Sequence, residues 1–149
     1  MTGLRQLGAD GVGPGIRYAE GNQLDLDQVI ALYRASTLGE RRPVGERDRM
    51  GAMLANANLV VSAWDGAALV GIARSMTDFV YATYLSDLAV DLRLQRRGIG
   101  RELMRWTQVL APHAAVILLA APSAVDYYPR VGFAAHPSAW ILRDGVTLR

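Results

Sequence analysis

The apolar positions of the chain change their period at definite points, and each change predicts an element. Asp25 with Gln28 opens a stretch in which Leu26, Val29, Ile30 and Tyr33 recur on one face, so a capped helix is expected to end near Ser36. Residues 37–45 contain Gly39, Pro43 and Gly45 and read as a loop, followed by a second helix over 47–56 with Met50, Met53 and Leu54. From Leu59 the pattern becomes that of strands: apolar runs over 59–64 and 67–76 flank Asp65-Gly66, a hairpin dipeptide. A second turn at 77–80 returns the chain into a third strand over 82–90. Ile99, Leu103, Trp106 and Leu110 then fall on one face of a helix that stops at Ala111-Pro112. Residues 116–120 suit a buried strand, Ser123 is expected to cap another short helix, and Phe133 with residues 140–143 supply the last strands. Residues 16–19 form a short strand ahead of the first helix. The predicted order is β-α-α-β-β-β-α-β-α-β-β, with no internal repeat. The glycine-rich stretch 1–15 reads as a flexible arm and 16–149 as one domain.

Composition narrows the chemistry. The chain has 149 residues and no cysteine, which excludes disulfides, thiolate metal sites and a cysteine nucleophile. Two histidines, His113 and His136, are too few for most zinc sites, and both stand beside prolines; no metal is expected. No apolar run approaches the ~18 residues of a membrane span, so a cytoplasmic protein without a membrane partner is expected. All 16 basic residues are arginine, against 14 acids, for a net charge of +2. That balance is no nucleic-acid signature. Its distribution is uneven, since Arg93, Arg96, Arg97, Arg101 and Arg105 fall within thirteen residues and make one region electropositive.

That region carries the sharpest feature. Leu88-Ala89-Val90 ends a strand, and Gln95-Arg96-Arg97-Gly98-Ile99-Gly100-Arg101 leads from a loop into a helix. Backbone N–H groups at a helix N-terminus lack internal partners and sit at the positive end of the dipole, so an anion can be held there. Gly98 and Gly100 would let it approach closely, and the arginines would add charge-assisted bonds. A P-loop is excluded because its lysine is missing. The dinucleotide fingerprint also fails, with Leu103 at its third glycine position and a meander in place of a parallel unit.

On these residues the chain resembles the GNAT superfamily of acyl-CoA-dependent N-acetyltransferases, over about residues 16–143. Gln95-Arg96-Arg97-Gly98-Ile99-Gly100 matches the family's pyrophosphate loop. Ala124-Val125-Asp126-Tyr127-Tyr128-Pro129-Arg130-Val131-Gly132-Phe133 resembles its helix of the form Ala, two residues, aromatic-Tyr, three residues, Gly-Phe. The resemblance implies an α/β (α+β) fold with a mostly antiparallel mixed sheet flanked by about four helices. It also implies that Leu88, Ala89 and Val90 pair with the pantetheine arm of acetyl-CoA, and that Arg96, Arg97, Gly98, Ile99, Gly100 and Arg101 hold its pyrophosphate. Tyr128 would lie near the sulfur. Two positions depart from the pattern: Ala121 stands where the family often has Asn, and Pro129 removes a backbone donor inside the helix, which implies a bent or very short one.

Amine acetylation requires a donor for the departing thiolate and a route for the ammonium proton. With reference values of ~8.5 for a thiol and ~10 for a phenol, Tyr128 is suited to the first task. Asp87 is the first candidate for the second, with Ser86 and Tyr84 as relays, although strand alternation separates Asp87 from those two unless a bulge intervenes. A carboxylate paired with an arginine is the equal structural alternative for Asp87. Trp64, Trp106 and Trp140 read as packing anchors, and Arg41 and Arg42 as solvated loop charges. The expected function is direct acetyl transfer from acetyl-CoA to a primary amine, a small molecule before a protein N-terminus or lysine. A non-catalytic acyl-CoA sensor is the alternative. No nucleic-acid partner is expected, and a homodimer is compatible with the sequence.

Overall fold

The computed structural model describes residues 3–8 and 15–149. The chain divides into two compact units, residues 1–119 and residues 120–149. The first unit is built on a six-stranded sheet whose strands lie in chain order: β1 (Arg5–Leu7), β2 (Ile16–Glu20), β3 (Leu59–Asp65), β4 (Ala68–Thr77), β5 (Ala82–Val90) and β6 (Ala115–Ile117). The first four pairings are antiparallel; β5 and β6 are parallel. Among the described residues three α-helices accompany the sheet: α1 (Leu26–Ala35), α2 (Arg47–Ala55) and α3 (Ile99–Leu110).

The helices form where the sequence places caps and apolar stripes. Asp25 accepts the Gln28 N–H at 3.0 Å and starts α1, which buries Val29, Leu32 and Tyr33. Met50 and Leu54 of α2 join the same core, with Val60, Trp64, Ile72 and Ala89 of the sheet. On the opposite face lies α3. A methyl group placed on Gly71 would stand 3.0 to 3.2 Å from Leu103, Ile99 and Ala63, so α3 approaches β4 as closely as a missing side chain permits. The sheet is therefore covered by α1 and α2 on one side and by α3 on the other.

Four expectations need correction. The N-terminal stretch is not wholly an arm, because Arg5–Leu7 pairs with β2 and Arg5 is ion-paired to Glu20; its residues 9–14 lie outside the described residues. The run at 116–120 forms strand only over Ala115–Ile117. Residues 120–149 contain no strand: 3-10 turns at Pro122–Ala124 and Tyr128–Val131 replace the expected helix, Ser123 lies inside the first rather than capping it, and 140–143 is irregular. The unit's backbone bonds are local, as in Ala124 N to Ala121 O and Phe133 N to Tyr128 O, so its apolar residues lack the cross-strand partners that a sheet requires. Trp140 is 94% exposed, not a packing anchor.

Candidate functional site

The end of β5 and the loop that follows it form an open sheet edge. β6 pairs with β5 only from Ala82 to Tyr84, so residues 85–90 have no strand neighbour on that side among the described residues. The backbone orientation follows from the pairing on the other side. The Asp91 N–H donates to Val70 O, and Val90 lies opposite Gly71, which turns the polar groups of Ala89 towards β4 and those of Leu88 and Val90 outward. The Val90 carbonyl already accepts a bond from Gln95 Nε2 at 3.1 Å. An extended chain bearing amides could add here as a further strand, using Leu88 and Val90 rather than Ala89.

The connecting loop is held in an uncommon backbone conformation. Asp91 caps the 3-10 turn Leu92–Leu94 by accepting from Arg93 N, and it also ion-pairs with the Arg93 guanidinium. The pair lowers the Asp91 pKa and raises that of Arg93. Arg96 at φ 64° and Gly98 at φ 80° are both left-handed, which is strained for an arginine and ordinary for a glycine. Gly98 is the N-cap of α3 and supplies no side chain to its first-turn N–H groups. Those donors face the loop without a protein cap. Arg105 pairs with Glu102, whereas Arg96, Arg97 and Arg101 are exposed and have no ion-pair partner among the described residues. The cluster of five arginines therefore resolves into two structural pairs and three cations around an uncapped helix start. A methyl group on Gly100 would meet only Val90 Cγ2, at 3.7 Å, which leaves open space for an anion beside it.

Asp87 is built differently from an accessible base. Arg74 faces Asp87 but Ser75 faces Leu85, so Ser86 is a bulge. The bulge rotates Asp87 onto the face of Arg74, Met76 and Tyr84. There it is fully buried. Its oxygens accept from Tyr33 Oη, Arg74 Nε and Arg42 Nε, each at 2.6 Å, and from Ser86 Oγ at 3.2 Å. Burial acts to raise its pKa, but the Arg74 bond and charge, with Tyr33 and Arg42, outweigh burial and lower it. Burial and the neighbouring carboxylate push the Tyr33 phenol up. This is the arginine-paired alternative stated above for a strand carboxylate.

Arg42 is not a solvated loop charge. It bonds Asp87 and the Ser86 carbonyl, and so fastens the α1–α2 loop to the bulge. Sequence reasoning missed Tyr33, Arg42 and Arg74 as a set; the available signal was an aspartate inside an apolar strand, which demands buried donors.

In the second unit the Tyr128 ring packs edge-on against Tyr127 and Phe133, with centroids 5.3 and 5.5 Å away. Pro129 restricts the segment to the 3-10 turn Tyr128–Val131, which Gly132 ends at φ 105° by donating to Pro129 O and Tyr128 O. Apart from these groups, a cavity of about 480 Å³ lined by Leu4, Leu24, Trp64 and neighbouring polar residues contains none of the predicted site residues. Among the described residues no helix is long and apolar enough to cross a membrane.

Known structures share this architecture. A GNAT-family acetyltransferase from Streptococcus pneumoniae superposes with a TM-score of 0.69 at 26% identity, covering 87% of this chain and 99% of its own. A probable acetyltransferase of unknown function from methicillin-resistant Staphylococcus aureus gives 0.72 at 20% identity, over 86% and 97%. An aminoglycoside acetyltransferase from an uncultured soil metagenomic sample, in complex with sisomicin, gives 0.65 at 21% identity, over 91% and 97%. No curated protein sequence matches the chain. The model of the GNAT acetyltransferase domain matches residues 40–148, and with that match the chain belongs to the GNAT acetyltransferases, a family of acyl-transferring enzymes.

Proposed function

We propose that this enzyme transfers an acetyl group from acetyl-CoA to the primary amine of a small molecule by direct attack. The observation that carries the reading is the outward edge of β5 at Leu88 and Val90, which no described strand pairs, running into a left-handed Gly98 at the uncapped start of α3. Acetyl-CoA supplies an activated acetyl thioester. The outward amides of Leu88 and Val90 bind its amide-bearing arm, while the N–H groups of Ile99, Gly100 and Arg101, with the Arg96, Arg97 and Arg101 side chains, bind its diphosphate. By its place in the 124–133 motif, Tyr128 is assigned the donation of a proton to the sulfur as the C–S bond breaks and the C–N bond forms. The aminoglycoside acetyltransferase among the structural neighbours supports a small-molecule acceptor.

Asp87 takes a positioning part in this reading. Its lone pairs are engaged and its pKa is lowered, so the ammonium proton leaves by water rather than by this carboxylate. Its contribution is to hold Arg42, Arg74 and the Ser86 bulge in place.

Calorimetric titration with CoA tests the reading. Wild type is expected to bind, and Gly100→Val to bind at least ten times more weakly with an unchanged melting temperature, because a Cβ at this position meets only Val90 Cγ2, at 3.7 Å. Equal affinity in the folded variant would remove the loop from the site. Absence of CoA binding by wild type would end the reading.

A further inference from the structure

Beyond the bulge, the β5 face that carries Asp87 continues into a surface that neither α1 nor α2 covers. Met76 of β4 lies opposite Tyr84 of β5, and Tyr84 lies opposite Ile117 of β6. Directly opposed residues share a face, so the three form one row across the sheet. The row is 36%, 37% and 55% exposed. It lies where β6 parts from β5, and therefore at the mouth of the open edge described above. Next to it, the β4–β5 hairpin ends in an exposed Phe79 and Tyr81.

That hairpin tip is built to stay rigid. Asp78 Oδ1 accepts the N–H groups of Val80, Tyr81 and Ala82, and Thr77 Oγ1 accepts that of Phe79. The bonds hold Phe79 at φ 65°, a left-handed conformation that bulky residues rarely adopt and that persists only where surrounding contacts impose it. Asp78 is the one acid of this hairpin, and its Oδ1 is engaged by those backbone donors. The neighbouring turn Leu38–Arg41 offers Glu40 beside Arg41, with Arg42 following. The surface is thus apolar and aromatic, with no cluster of free carboxylates to receive a polycation.

We infer that the acceptor is an amine bearing a single apolar, aromatic arm, which lies along Met76, Tyr84 and Ile117 and places its amino group at the open β5 edge. The inference rests on the acetyl-transfer reading and specifies its acceptor class; a polycationic aminosugar does not fit this surface. The arm remains on the row while the amine nitrogen forms the new C–N bond.

Acetyl-CoA-dependent thiol release with 2-phenylethylamine, ethanolamine, spermidine and kanamycin tests it. Wild type is expected to use 2-phenylethylamine with a kcat/KM at least 10 times that of the other three. Met76→Ser and Ile117→Ser are expected to lower this value roughly 10- to 100-fold through KM, with CoA affinity by calorimetry unchanged. Both positions are exposed, so both variants should fold. Preference for spermidine or kanamycin, or unaltered KM in both variants, overturns the inference while leaving acetyl transfer standing. If CoA binds and no amine is turned over, NMR titration of the CoA-loaded protein decides: saturable shifts from 2-phenylethylamine in wild type and not in Ile117→Ser support the inference, and none at millimolar amine overturns it. Failure of wild type to bind CoA removes the acetyl-transfer reading and the inference together.

Discussion

Replacing Asp87 by Asn keeps the volume of the side chain and deletes the charge at the centre of a buried cluster. The Asn amide places N–H donors against groups that are themselves donors, Tyr33 Oη, Arg42 Nε and Arg74 Nε. Breaking a buried ion pair from one side costs about 3–5 kcal/mol. The lower end applies here, because Arg74 retains Met53 O and Ser86 Oγ and the Arg42 side chain is 22% exposed. With roughly 2–4 °C per kcal/mol for a chain of this size, about 3 kcal/mol lowers the melting temperature by about 6–12 °C at pH 7. The pH dependence has a definite sign. The folded pKa of Asp87 lies below the unfolded ~3.9, so its stabilisation is complete above about pH 5 and is lost as pH falls through the folded pKa. Asn does not titrate, so the gap between wild type and variant should close on acidification. Scanning calorimetry at pH 7 and at about pH 3 measures both gaps. A loss under about 3 °C at neutral pH, or an equal loss in acid, would refute the buried-pair argument. So would a variant of unchanged stability whose kcat/KM loses its pH-dependent limb, because that is the signature of a base.

Other outcomes follow from the same contacts. Tyr128→Phe should lower kcat roughly 10- to 1000-fold in steady-state assays with CoA affinity unchanged, and more than Tyr127→Phe does; the reverse order would assign the proton donor to Tyr127. Gly71→Ala inserts a methyl group against Leu103, Ile99 and Ala63 and should cost about 1–3 kcal/mol in chemical denaturation; no loss would mean that α3 shifts freely over β4. Gly98→Ala forces a side chain into the left-handed region and should cost about 1–2 kcal/mol by the same measurement, whereas Gly100→Ala should be nearly neutral.

Elements whose hydrophobic period and end signals are local were legible from the chain alone. The Asp25 cap, the Asp65-Gly66 hairpin and the spans of β5 and α3 are each specified by a few neighbouring residues, because capping bonds, turn dihedrals and side-chain periodicity act over one or two turns. The turn over 95–101 into a helix start was legible for the same reason: its glycines and arginines adjoin in sequence. Non-local features were not. β1 is three residues that become a strand only by finding β2, and residues 140–143 have strand-like composition but no strand partner among the described residues. The sorting of the arginines into Asp91- and Glu102-bound pairs and three exposed cations depends on side-chain reach in three dimensions. The position of Asp87 depends on one unpaired residue in a strand. Alternation alone puts it on the face away from Tyr84; the Ser86 bulge turns it towards Tyr33, Arg42 and Arg74, which lie 54, 45 and 13 residues away in the chain. A buried charge selects its partners by removing water from all of them at once, and that selection exists only when the sheet and helices have closed around it.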